Sequence, residues 1–156
     1  MRNFILIICL FCSFLPLHAN EESVPSLNII SRLAKDGNFQ NALNAVTVYI
    51  AKHPNETRAI KLRGHIFFAQ NRYPEALADF SRVIELVPNS ANAYVDRAGV
   101  YYAIGDLDNA LVDVNTALEI KPNSSFALIL KDSILDKQNP PKNPSFKFRK
   151  GGVLKK

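Results

Sequence analysis

Residues Thr57 to Ser90 read TRAIKLRGHIFFAQNRYPEALADFSRVIELVPNS, and the 34 residues that follow, Ala91 to Ser124, read ANAYVDRAGVYYAIGDLDNALVDVNTALEIKPNS. Laid over one another, the two stretches share a set of marks. A small residue recurs as Gly64 and Ala98, a turn former as Asn71 and Gly105, an alanine as Ala76 and Ala110, and a Pro-Asn pair as Pro88-Asn89 and Pro122-Asn123. Stepping back by the same 34 residues finds Gly37, Ala42 and Pro54-Asn55. The chain therefore divides into three units, 23–56, 57–90 and 91–124, and a period of this length is the signature of a repeat architecture.

Each mark has a physical reading. Gly or Asn can take the left-handed conformation that ends a helix, so the first helix of each unit stops at Gly37, Asn71 and Gly105. Pro74 lies just beyond such a stop, in a first turn that tolerates a missing N–H. The prolines at 54, 88 and 122 end the second helix. The alanines let two helices approach closely, and Gly64 and Ala98 do the same from the first helix. Between the marks the apolar spacing is helical, through Leu77, Phe80, Ile84 and Val87, then Leu111, Val114, Leu118 and Ile120.

The pattern resembles the tetratricopeptide repeat, whose period is 34 and which ends in such a proline. Unit two carries the likeness through Gly64, Phe67, Tyr73, Ala76, Phe80 and Pro88. Unit three does so through Tyr94, Ala98, Tyr101, Gly105, Ala110, Ala117 and Pro122. Unit one departs from it, with Ile30 in the place of Gly64 and Ala98 and Tyr49 in the place of Ala117, as a terminal repeat facing solvent does. The likeness spans about 23–124. It implies an all-α fold, a right-handed stack of antiparallel helical hairpins, in which the first helices line a concave surface. Carried over residue by residue, the groove positions are Arg58, Lys61, His65, Phe68 and Ala69, then Asn92, Val95, Gly99, Tyr102 and Ala103, with Val24, Leu27, Ser31, Ala34 and Lys35 extending the wall. Arg58, Lys61 and His65 share one helical face by their spacing of three and four. For each of these the alternative is an ordinary exposed or packing side chain. The clamp by which some members hold chaperone tails needs lysines and asparagines at set places. Lys61 matches one, while His65 and Asp96 stand where asparagines belong.

Beyond Asn123, Ser124 or Ser125 can cap a further helix, FALILKDSILDK. Its apolar residues Phe126, Ile129, Leu130, Ile134 and Leu135 are expected to cover the last hairpin, with Lys131, Asp132, Asp136 and Lys137 outward. The repeat domain is thus expected over 20–137.

The two ends differ from this body. Arg2, the apolar run Phe4 to Leu15 and the small residue Ala19 make residues 1–19 a secretory signal peptide with cleavage after Ala19. The run is about a dozen residues, where a membrane span needs about 20, although an uncleaved anchor is the alternative. Cys9 and Cys12 lie inside it, so the mature chain holds neither disulfide nor thiolate. Ile8 and Phe11 before them are too bulky for a lipid-attachment signal. Residues 138–156, QNPPKNPSFKFRKGGVLKK, lack any period and are expected to be a disordered basic tail. The tail carries six basic residues and no acid, whereas 20–137 holds twelve basic and fourteen acidic residues, a balance of −2. The net charge of +5 is thus a property of the tail. Such a segment is either solvated or drawn to an anionic membrane or envelope surface, at about 1 kcal/mol per Lys or Arg. Nucleic acid is a poor match for an exported protein.

No catalytic constellation is legible. His53 and His65 lie on different helices without metal-ligand spacing, there is no phosphate loop or nucleophile elbow, and no cofactor is implied. Arg63 and Asp79, and likewise Arg97 and Asp113, are sixteen residues apart. Each pair is either an ion pair inside a hairpin or a coincidence of exposed side chains. The expected function is a non-catalytic, exported module, periplasmic or secreted, that binds a protein or peptide in its groove. The alternative is an envelope-tethered spacer held by its tail.

Overall fold

The computed structural model describes residues 25–140; residues 1–24, with the expected signal peptide and Val24, and residues 141–156 lie outside it. Seven helices make up the described chain: α1 (Leu27–Lys35), α2 (Phe39–Lys52), α3 (Thr57–Ala69), α4 (Tyr73–Leu86), α5 (Ala91–Ile104), α6 (Leu107–Ile120) and α7 (Ser125–Gln138). Helices α1/α2, α3/α4 and α5/α6 form hairpins, each second helix packs on the next first helix, and α7 packs on both α6 and α5. The fold is an all-α repeat solenoid.

The repeated marks do the chain reversals. Gly37, Asn71 and Gly105 all have positive φ, at 77°, 59° and 85°. At each, two backbone bonds close the helix end: Asn71 N–H donates to Phe68 and Arg72 N–H to Phe67, and the same pair recurs at Gly105/Asp106 and Gly37/Asn38. This is the Schellman arrangement. The Pro-Asn pairs form three like turns in which Glu56, Ser90 and Ser124 N–H donate to the carbonyls of His53, Val87 and Lys121, each at 3.1 Å. Pro is suited to the second place of such a turn because its φ is preset.

Within each hairpin two equivalent positions face one another in the core. Phe80 of α4 lies against Gly64 of α3 so closely that a Cβ there would be 2.8 Å from the ring. In the third unit the same two places hold Ala98 and Val114, in the first Ile30 and Val46, all fully buried. In unit two the large ring is matched by a residue without a side chain, whereas in unit one both places hold branched aliphatic residues. Ala42, Ala76 and Ala110 are fully buried where the helices cross.

Two polar pairs pin the hairpins. Arg63 donates to Asp79 through Nε (2.8 Å) and Nη2 (2.6 Å), and Arg97 to Asp113 through Nε and Nη2, both at 2.8 Å. Both carboxylates are buried. Arg97 Nη1 also donates to Ser81, tying unit three to unit two. The sixteen-residue spacing is therefore a structural ion pair.

Some expectations need correction. Val87 and Ile120, which continue the apolar spacing to the C-terminal ends of α4 and α6, are exposed there, while Val83 and Ala117 are buried. Ser124 is the N-cap of α7 but makes no side-chain cap bond. In α7 only Ala127 and Ile134 are buried, while Phe126 is 81% and Ile129 65% exposed. These two do not cover the hairpin. They face the opposite way.

Candidate functional site

Helix α1 contacts α3, α5 contacts α7, and α3 meets α5 through Lys61 and His65 against Asp96, so that equivalent positions of the four helices form a grid. One row is Arg58, Asn92 and Phe126; the next is Lys61, Val95 and Ile129; the next is His65, Gly99 and Ser133; Phe68 and Tyr102 follow. Three adjoining cavities run along this wall. The first, about 280 Å³, is lined by Leu27, Asn28, Ser31, Arg58, Lys61, Leu62 and His65. The second, about 280 Å³, lies between Lys61, Asn92, Val95, Asp96 and Phe126. The third, about 350 Å³, is bounded by His65, Phe68, Phe80, Val95, Asp96, Gly99, Tyr102 and the α7 residues Phe126, Ile129, Leu130 and Ser133. Shared lining residues make them one continuous groove. It contains Arg58, Lys61, His65, Phe68, Asn92, Val95 and Tyr102, and also Leu27, Ser31 and Gly99. Ala34, Lys35, Ala69 and Ala103 do not line these cavities.

The contribution of α7 was not foreseen, although the signal was present. Adding 34 to Asn92, Val95 and Gly99 gives Phe126, Ile129 and Ser133. The last helix is a fourth first-helix, with no second helix after it among the described residues, and its groove face is largely apolar.

The electrostatics also differ from a simple cationic wall. Asp96 Oδ2 lies 3.8 Å from Lys61 Nζ and 3.6 Å from His65 Nε2, and it accepts no hydrogen bond. Burial pushes the Asp96 carboxyl above the ordinary carboxylate range, with His65 and Lys61 opposing. Burial likewise lowers the His65 pKa; Asp96 acts to raise it and Lys61 to lower it further. Lys61 is thus paired from within the wall, whereas Arg58 makes no ion pair among the described residues. At the other end, Lys137 Nζ sits 4.6 Å from the centre of the Tyr102 ring and donates to the Tyr102 carbonyl at 3.3 Å. His65 meets the Phe80 ring edge-on at 5.1 Å. The ring that fills the space beside Gly64 is therefore also part of the groove floor. Among the described residues no group of three or more His, Cys, Asp or Glu is placed to hold a metal.

A family model described as TPR repeat matches residues 64–105. The first TPR of Spaghetti (RPAP3), bound to the HSP90 peptide SRMEEVD, superposes with a TM-score of 0.67 at 21% identity, covering 71% of this chain and 88% of that one. The second TPR domain of human RPAP3, in complex with the HSP70 peptide SGPTIEEVD, gives 0.65 at 22% identity, covering 70% and 91%. The TPR2B domain of yeast Sti1, in a pHsp70 complex, gives 0.64 at 24% identity, covering 70% and 94%. A comparison with curated proteins finds no match. The chain thus carries a TPR-repeat match over residues 64–105 and has the fold of these TPR domains.

Proposed function

We infer that this chain is an exported, non-catalytic interaction module that binds a peptide or a protein segment in its concave groove. The observation that carries this reading is the continuous groove itself. Large apolar side chains stand exposed along it, Phe126 and Ile129 above all, where packing gives them no partner. Contiguous exposed apolar surface bounded by polar residues marks interaction sites. Two of the structural neighbours named above are domains in complex with peptides, which supports the same use of the groove here. Export rests on the signal-like residues 1–19.

Two measurements test the reading. Mass spectrometry of the mature protein from its native host is expected to find Asn20 at the amino terminus; an intact Met1 in the mature fraction refutes export. Affinity capture from an envelope extract is then compared between the full chain, Tyr102→Ala, Ile129→Asp and a 139–156 deletion. Capture is expected to fall in both groove variants, with Tyr102→Ala costing more than about 1 kcal/mol as a buried aromatic contact does, and to persist in the deletion. The reverse result assigns binding to the basic tail and the spacer role to the repeats.

A further inference from the structure

Gly99 lies in the interior of α5. A glycine there costs about 1 kcal/mol of helix stability against alanine, so a reason for it should be visible. Gly64 has such a reason in the Phe80 ring, 2.8 Å from where its Cβ would stand. Gly99 has none in the core: a Cβ built on it meets no atom within 4 Å. The space it leaves open is the floor of the largest groove cavity, ringed by Val95, Tyr102, Phe126 and Ile129. Across the grid the wall changes from cationic on α3 to apolar on α7. Lys61 is already held by Asp96, so the groove offers an apolar notch at Gly99 and, at Arg58, a guanidinium that makes no ion pair among the described residues.

Resting on the interaction-module reading, we propose that the groove takes an extended peptide segment with one bulky apolar side chain seated in the notch over Gly99 and one acidic side chain on Arg58. Their separation follows from the helices. Seven residues along the axis amount to about 10 Å, and one to two interhelical steps to about 9–18 Å. The span is then roughly 14–20 Å, or about four to six residues of extended chain. The acid-rich SRMEEVD type of peptide is disfavoured, because Lys61, the cation that could receive a second acid, is already paired with Asp96. Gly99 sets the specificity: a side chain there occupies the volume the ligand needs.

The test uses the full chain immobilised against a phage-displayed library of random dodecapeptides. Enriched peptides are synthesised and their affinity measured by fluorescence polarisation, with SRMEEVD as a comparison. The enriched sequences are expected to share an apolar residue and an acid at the stated separation, and to bind more tightly than SRMEEVD. Gly99→Leu is expected to weaken them by at least about tenfold, in the hot-spot range, while helical circular dichroism and the melting point are kept or raised. Arg58→Glu should weaken them too, and a peptide with its acid changed to lysine should recover on that variant. Unchanged affinity in Gly99→Leu, or a failed charge swap, overturns this inference. If those same peptides still lose binding with Tyr102→Ala and Ile129→Asp, the module reading stands. Absence of any enriched peptide sensitive to the groove variants overturns both.

Discussion

Two glycines in equivalent helices give opposite predictions for the same substitution. Gly64→Ala and Gly99→Ala each remove a helix-interior glycine, which by itself stabilises by about 1 kcal/mol. At Gly99 nothing opposes this gain, since the new methyl enters open groove space. Gly99→Ala should therefore raise stability by up to about 1 kcal/mol. At Gly64 the methyl would meet the Phe80 ring at 2.8 Å, and that ring is only 1% exposed and has little room to retreat. Overpacking of this kind costs about 1–3 kcal/mol, so the net effect is a loss of about 0–2 kcal/mol after the propensity gain. The two variants should then differ by about 1–3 kcal/mol. Urea unfolding followed by helical circular dichroism reads this as midpoints shifted in opposite directions at constant m. A double mutant Gly64→Ala with Phe80→Leu should recover part of the overpacking cost, since the two residues touch. If Gly64→Ala is stabilised as much as Gly99→Ala, the packing of α3 on α4 through Phe80 is refuted, and the register of the repeats with it.

Asp79→Ala and Asp113→Ala each leave a guanidinium without its carboxylate in a partly buried site, and each should cost about 3 kcal/mol, the lower end for a broken buried pair because the arginines keep some solvent; urea midpoints near wild type would show the pairs to be idle. The His65 ring should titrate below its ordinary 6.5. A lowered histidine pKa means the unfolded chain binds more protons between the folded value and 6.5. Stability should therefore fall as pH drops through that window. Asp96 opposes this lower down, because its raised pKa makes the folded chain bind more protons above 3.8. Histidine NMR should also find the His65 midpoint lower still in Asp96→Asn and higher in Lys61→Ala; shifts of the opposite sign would refute the Lys61–Asp96–His65 arrangement. Ala76→Leu and Ala110→Leu should each destabilise by about 1–3 kcal/mol at the helix crossings, and a tolerated leucine at either would place the crossing elsewhere.

The groove shows where residue-by-residue reading works and where it stops. Arg58, Lys61, His65, Phe68, Asn92, Val95 and Tyr102 lie along one wall because a strict period gives equivalent residues equivalent directions. Their chemistry was harder to read. Lys61 is a free cation in the sequence, yet in space it faces Asp96, a residue 35 positions away on the neighbouring helix. Phe126 and Ile129 looked like the underside of a covering helix because apolar residues are normally buried. The alternation of burial in α7 is set by α5 and α6, not by α7 itself.

Helix ends, hairpin count and period were determined by the sequence alone, since they depend on local backbone chemistry: left-handed Gly or Asn, proline that cannot continue a helix, and small residues at a fixed interval. The pairing of Arg63 with Asp79 was suggested by spacing and decided only when antiparallel helices placed the two side chains 2.6 Å apart. The close contact of Gly64 with Phe80, the pairing of Lys61 with Asp96 and the open space over Gly99 were decided by tertiary structure. Each is a contact, or a missing contact, between residues on different helices. Close packing and Coulomb energy depend on distances through space, and one chain of letters does not contain them.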